Sequence, residues 1–230
     1  MQRDEQLKKI TEKPLDVLII GGGINGAVSF GALAGQDISV GLIDRKDFAS
    51  ETSMHSSNLV WGGIKYMESY EFGLVRKLCM SRNQLMKAYP TNIRELRFFT
   101  NLDRGFRFPA IMLYMGAFLY WLIGNCFTRP PRLLTTSKIR SEEPVVSTDK
   151  SIGGIEYSDA YLPENDARFV FQFIRGAIDR GGIALNYVES LGGEQNADSG
   201  FWRIKARDQI SGDYHEIQAK VLINACGPFV

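Results

Sequence analysis

An α/β fold with a parallel sheet and an antiparallel β-meander is predicted by this sequence, and three observations carry the prediction. DVLIIGGGINGA, residues 16–27, reads as a strand, a glycine-rich loop and the start of a helix. A second apolar strand ends in an acid, Asp44, 18 residues after the last glycine of that loop. Two alternating segments, 201–208 and 214–219, flank a Ser211-Gly212-Asp213 turn and lead into another apolar run at 221–225.

Each element follows from local chemistry. Residues 1–14, MQRDEQLKKITEKP, are polar, lack the apolar core of a signal peptide and read as a short solvated lead-in. Asp16 to Ile20 form the first strand, apolar and mostly β-branched after Asp16, as a parallel strand covered on both faces should be. Gly21, Gly23 and Gly26 fit G-x-G-x-x-G: the first permits the turn, the second a close approach of pyrophosphate, the third helix–strand packing. The helix opening near Ile24 aims free N–H groups and the positive dipole end at that site, and Gly35 stops it. Ile38 to Ile43 form the second strand, and Asp44 is placed to accept from both hydroxyls of an adenosine ribose.

Residues 71–89 read as an amphipathic helix with Phe72, Val75, Cys79, Leu85, Met86 and Tyr89 near one face and Pro90 as its stop. Residues 91–154 are mixed, with Pro130-Pro131 and Pro144 in loops; 71–154 reads as a largely helical insertion within a single 1–230 domain. Inside it, FPAIMLYMGAFLYWLIGNCF, residues 108–127, carries no charge and is roughly the length of a bilayer span. A buried helix, a helix lying in a membrane interface with Arg104, Arg107, Arg129 and Arg132 beside it, and a span are the three readings. Residues 166–180 are helical with Val170, Phe173, Ile174, Ala177 and Ile178 inward, and 183–188 form a strand. The antiparallel ribbon therefore falls between the third and fourth parallel strands. By fold-level analogy, that order resembles a glutathione-reductase-type FAD-binding, Rossmann-like fold, with NAD as the alternative cofactor.

Composition narrows the class. A net charge of +1 gives no sign of nucleic acid or an acidic partner. Three widely spaced cysteines suit a reducing compartment better than a disulfide framework. Apolar and charged fractions, 44% and 23%, are those of a globular protein.

Four stretches resemble the FAD-dependent glycerol-3-phosphate dehydrogenase family: DVLIIGGGINGA, DFASETSMHSSNLVWGGIKYMESYEFGLVRKL, IEYSDAYLPENDARFV and VLINACGPF. The resemblance runs from about Asp16 to Val230 and implies the N-terminal, FAD-binding half of a chain about twice as long, so a fragment or a truncated product is expected. It implies that Gly21, Gly23, Ile24, Asn25 and Gly26 cradle the pyrophosphate and that Asp44 holds the ribose. Thr52, Ser53, Ser56 and Ser57 would offer hydroxyls to the phosphates and ribityl chain. Leu59 through Gly63, with small residues at Gly62 and Gly63, would pass beside the isoalloxazine. Val188 would meet adenine through its backbone, and Ala225 and Gly227 would approach the cofactor from the fourth strand.

Three positions depart from the family pattern SSKLIHGGLRYLE: Asn58 stands for lysine, Trp61 for histidine and Lys65 for arginine, while Tyr66 is kept. Trp61, Lys65 and Tyr66 are the candidate catalytic positions. Trp61 has no proton acceptor, and Lys65 keeps the charge but loses the bidentate fork. His55 and His215 read as surface histidines. The resemblance implies oxidation of sn-glycerol 3-phosphate to dihydroxyacetone phosphate, hydride passing to flavin N5 and electrons on to quinone or oxygen. Another substrate for a related flavin oxidoreductase, and a non-catalytic FAD-binding fragment, remain as alternatives. No metal is expected. The expected location is the cytoplasm, or the inner face of the cytoplasmic membrane as a peripheral protein.

Overall fold

The structure is a computed structural model that describes residues 3–229; Met1, Gln2 and Val230 lie outside the described residues. In chain order the elements are α1 (Arg3–Glu12), β1 (Leu15–Ile20), α2 (Ile24–Leu33), β2 (Val40–Ile43), β3 (Leu59–Val60), α3 (Phe72–Ala88), β4 (Arg94–Asp103), α4 (Ala110–Ile123) and β5 (Arg132–Leu134). They continue with α5 (Thr136–Glu142), β6 (Ser151–Tyr161), α6 (Asp166–Ile178), β7 (Ile183–Leu185), β8 (Val188–Gln195), β9 (Trp202–Asp208) and β10 (Tyr214–Asn224). Two compact units form: residues up to Ser57 with those from Glu164 onward, and Asn58–Pro163.

The first unit holds a six-stranded sheet in the order β7-β2-β1-β10-β9-β8. β7, β2 and β1 are parallel, and β1 pairs in parallel with the second half of β10. The first half of β10 is antiparallel to β9, and β9 to β8, so the meander is present. Both faces of the parallel strands are covered, which is why their sequences are nearly all apolar. On one face Val17, Ile19 and Leu42 meet Phe30 of α2 and Val170 and Ile174 of α6. On the other, Leu18, Ile43 and Leu185 pack with Ile204, Ile217 and Ile10.

Four expectations are corrected here. The polar lead-in is helix α1: Ile10 is fully buried and Leu7 packs beside it, a two-residue apolar face too small to stand out among the charges. The second strand begins at Val40 rather than residue 38. The 183–188 strand breaks, because Tyr187 takes a left-handed conformation (φ 55°) while the Tyr187 and Val188 amides donate to the carbonyls of Lys46 and Asp44. Val188 therefore opens the meander. The run at 221–225 is no separate strand but the second half of β10, which changes partner from β9 to β1 at Ala219.

The α1 helix is tied down by Arg3, which donates to Asp208 at 2.9 Å and to the Asn186 carbonyl at 2.8 Å. Burial pushes the Asp208 carboxyl up, but donation from Arg3 and from the Ile210 and Ser211 amides outweighs it and holds the group below the ordinary aspartate value. A lowered folded-state pKa stabilises the fold above the unfolded value, near 3.9, and that contribution is lost as pH falls through the folded value. Melting between pH 7 and pH 3 should thus show a steeper acid loss for the parent than for Asp208→Asn. Equal slopes would show that Asp208 does not anchor α1.

The second unit is built on a mixed-length antiparallel sheet in which β6 pairs with β4 along one edge and with β3 and β5 on the other. The 71–154 stretch thus contains three helices and also strands that the sequence pattern did not reveal. The buried face of α3 is Val75, Cys79, Arg82 and Asn83, while Phe72 is exposed. The expected apolar face is corrected, because two polar side chains turn inward and bond one another. In α4 only Ala117 and Tyr120 are buried; Ile111, Met112, Met115, Leu119 and Leu122 are exposed. Among the described residues no helix is long and apolar enough to cross a membrane.

Candidate functional site

A cavity of about 530 Å³ opens in the first unit above the end of β1 and the start of α2. Its floor is the glycine loop. Gly21 turns at φ 106°, and a Cβ there would lie 2.5 Å from the Ala225 carbonyl oxygen. A Cβ at Gly26 would overlap the Gly21 carbonyl oxygen, so the third glycine is needed for α2 to sit against the loop. α2 has no side-chain cap at its N-cap residue, Gly23, and Ser53 Oγ accepts from the Ile24 amide at 3.0 Å. A helix start of this kind is a ready anion site.

The other walls come from several segments. Thr52 and Ser53, with Glu51 and Ser50, form one side. Ala225 and Gly227 form another, beside Leu222 and Ile204. Ser50 Oγ is buried without a partner, so a hydroxyl is available in the wall. Arg45 lies with its guanidinium 4.5 Å from the centre of the Phe229 ring. A helix N-terminus, spare hydroxyls and an apolar wall together fit a dinucleotide.

Asp44 does more than line this cavity. Its carboxylate accepts from the Gly22 amide at 2.6 Å and from the Lys46 amide at 2.8 Å, so the acid braces the glycine loop. Asp44→Ala removes that brace together with a carboxylate on the cavity wall. Bonds to a charged group are each worth about 1.5–3 kcal/mol, so FAD affinity should fall about tenfold or more, with Asp44→Asn less affected. Fluorescence titration with FAD checks this; unchanged affinity in Asp44→Ala would show that the acid holds neither loop nor ligand.

Of the predicted binding residues, Gly21, Gly23, Ile24, Asn25, Asp44, Thr52, Ser53, Ala225 and Gly227 line the cavity. Gly26 lies behind it. Ser56 and Ser57 are exposed and off it, and Val188 is buried with its amide already donated to Asp44; Glu189 and Ser190 line the wall in its place.

Leu59, Trp61, Gly62, Gly63, Lys65 and Tyr66 belong to the second unit. β3 ends at Val60, and a single 3₁₀ turn, Ile64–Met67, follows Gly63. The Trp61 ring lies 5.7 Å from that of Tyr66, tilted by 42°. Lys65 and Tyr66 are exposed, whereas Gly62 and Gly63 are buried. Asn58 adopts φ 57°, a conformation asparagine tolerates far better than most residues, while its carbonyl accepts from the Leu162 amide.

Beneath Gly62 lies a polar cluster that sequence reasoning missed. Asp159 of β6 is fully buried and Arg82 of α3 is 2% exposed; their ion pair is 2.9 Å long. Asp159 also accepts from the Tyr120 hydroxyl at 2.9 Å and the Gly62 amide at 3.0 Å. Burial pushes the Asp159 carboxyl up, against the pull of Arg82, Tyr120 and Gly62. Burial, then the Asp159 charge, raises the Tyr120 hydroxyl far above its ordinary value. The available signal was Asp159 itself, an acid in β6 and within one of the four resembling stretches. Nothing in the spacing of Arg82 or Tyr120 marks them as its partners.

Comparison with known proteins agrees with this geometry. The model of the FAD dependent oxidoreductase family matches residues 16–230. D-erythritol 1-phosphate dehydrogenase of Brucella abortus (strain 2308) is 34% identical over 94% of this chain and 42% of its own length. Aerobic glycerol-3-phosphate dehydrogenase of Escherichia coli (strain K12) is 33% identical over 94% of this chain and 41% of its own. The chain thus spans about two fifths of these relatives. Among solved structures, glycerol-3-phosphate dehydrogenase from Bacillus halodurans, complexed with FAD, is 26% identical with a TM-score of 0.70, over 99% of this chain and 37% of that one. Glycine oxidase from Geobacillus kaustophilus shares the fold, with a TM-score of 0.67 at 18% identity over 93% of this chain and 55% of that one. On this match, the glycine-loop cavity and the meander, the chain belongs to the FAD dependent oxidoreductase family.

Proposed function

We propose that this chain binds FAD and forms the cofactor-binding part of an oxidoreductase acting on a small polyol phosphate, with sn-glycerol 3-phosphate the first candidate and dihydroxyacetone phosphate its product. The observation that carries the reading is the cavity at the start of α2, where the glycine loop, Asp44 and Ser53 converge. Two relatives at 33–34% identity are named as dehydrogenases of polyol phosphates, which supports this substrate class. When bound, FAD supplies the acceptor for the hydride from the substrate carbon.

The chain's own residues bind and orient. The amides at the start of α2 meet the negative pyrophosphate, aided by the helix dipole. Asp44 holds the loop that presents them. The resemblance to the glycerol-3-phosphate dehydrogenase family, and not a contact between the two units, is what gives the Leu59–Gly63 segment its place beside the ring in this reading. Trp61 offers one N–H donor but no proton acceptor, so the substrate's hydroxyl proton goes to another group. Lys65 and Tyr66 are the polar side chains next in sequence. A second reading, a related polyol phosphate such as erythritol phosphate, is favoured by Trp61 in place of histidine and by the Brucella relative.

Bound FAD would hand its electrons on to quinone or oxygen. A quinone acceptor requires a membrane surface, and α4 offers one: Ile111, Met115, Leu119 and Leu122 form an exposed apolar ridge along it. Replacing Leu119 and Leu122 with lysine should reduce sedimentation with zwitterionic lipid vesicles, where added positive charge brings no attraction, severalfold and leave FAD content unchanged. Equal sedimentation would remove the ridge from membrane contact.

The cofactor test is acid precipitation of the purified chain. A yellow supernatant with the mass of FAD is expected; a colourless one, or one with NAD, overturns the reading. Anaerobic bleaching of the longest natural product carrying this chain, by glycerol 3-phosphate against erythritol 1-phosphate, then separates the two substrates, and bleaching by neither overturns the polyol phosphate class.

A further inference from the structure

We infer that Asp159, held by Arg82 and Tyr120, is a positioning residue for the Trp61-Gly62-Gly63 segment, acting through the Gly62 backbone. The inference rests on the reading that this segment faces the FAD ring.

The argument begins with what secondary structure leaves undone. β3 is two residues long and ends at Val60, and the 3₁₀ turn starts at Ile64. The three residues between are outside both. At Gly62 the hydrogen bonds come from side chains instead: its amide donates to Asp159 Oδ1 at 3.0 Å, and its carbonyl accepts from Cys79 Sγ at 3.5 Å. Both polar groups of one peptide residue are thus fixed from below.

The side chains doing this are themselves fixed. Asp159 Oδ2 takes the Tyr120 hydroxyl, and Arg82 Nη1 bonds both Asp159 and Tyr120. The remaining Arg82 nitrogens donate to Asn83 Oδ1, and Asn83 Nδ2 donates to the Gly124 carbonyl after α4. One carboxylate therefore links β6, α3 and α4 to a single amide. The fit leaves no slack: a Cβ at Gly62 would overlap the Tyr120 hydroxyl and stand 2.9 Å from both Cys79 Sγ and Arg82 Nη1.

A buried ion pair costs desolvation that an apolar cluster would not, and one use of such groups is to select a single arrangement. Here the arrangement selected is the peptide orientation at Gly62. Turning that peptide would swing the adjoining Trp61, whose ring rests against Tyr66. Asp159 touches neither ring nor substrate in this role; it decides where Trp61 stands.

The test compares the parent with Tyr120→Phe and Asp159→Asn, both close to isosteric, using the 230-residue chain. Three readouts are needed: amide exchange at Gly62, the visible spectrum of bound FAD, and affinity for ADP as a probe of the pyrophosphate end alone. Both variants should exchange the Gly62 amide about tenfold faster or more, while amides at Leu18 and Ile19 keep parent rates. The FAD band should shift, and ADP affinity should stay within about twofold of the parent. Faster exchange at Gly62 with an unchanged FAD spectrum would overturn the positioning role and leave only a structural one. Unchanged exchange in both variants would overturn the network itself. A parent that binds ADP but no FAD would instead sink the underlying reading of the segment, and this role with it.

Discussion

Asp159→Ala should destabilise the second unit by about 3–5 kcal/mol, the usual consequence of stranding one member of a buried ion pair. Arg82 is 2% exposed, so without Asp159 its charge has no route to water short of unpacking α3. The Tyr120 hydroxyl and the Gly62 amide lose their acceptor in the same step. Replacing both charges, Arg82→Met with Asp159→Leu, should cost clearly less than Asp159→Ala alone, because no buried charge is then left without its counter-charge, and the neutral Tyr120 hydroxyl and Gly62 amide lose their acceptor equally in both variants. Denaturant unfolding of the two variants checks the order. A double variant at least as unstable as the single one would show that packing volume, rather than the stranded charge, sets the loss.

Gly26→Val should abolish FAD binding. The smallest added group, a Cβ, already overlaps the Gly21 carbonyl oxygen, and that oxygen belongs to backbone that cannot rotate aside. Gly21 is locked in turn: its amide donates to the Ile43 carbonyl at 2.8 Å, and its φ of 106° brings it against Ala225. Relief must come from lifting α2 off β1. That separates Ala27 and Phe30 from Val17 and Ile19 in the core and moves the helix start away from the cavity. Overpacking of this kind costs about 1–3 kcal/mol or more, so part of the chain should remain folded. The decisive comparison is FAD titration at a temperature where circular dichroism shows the variant folded. Binding within tenfold of the parent would show that the close approach at Gly26 is relieved without moving the helix.

The glycine loop, the acid at Asp44 and the meander were legible from sequence because each depends on neighbours in the chain. A 3.6-residue period, an alternating period and a left-handed glycine act over a few residues, and their signals survive in one dimension. The same locality explains the errors. β10 reads as two strands because its halves face different environments, and only pairing with β9 and then β1 makes it one. α1 reads as a solvated lead-in because a helix that buries Ile10 and Leu7 needs the meander to bury them against. The break at Tyr187 follows from bonds to Lys46 and Asp44, about 140 residues earlier in the chain.

Sequence by itself thus determined the glycine-loop unit: where β1 ends, where α2 begins, and which glycines the close approaches require. Tertiary structure decided what stands behind the Trp61–Gly63 segment. Arg82, Tyr120 and Asp159 lie on three elements and are 38 to 77 residues apart. A charge buried in the chain fold is stable only beside a counter-charge brought there by packing, and no periodicity records which residue that will be.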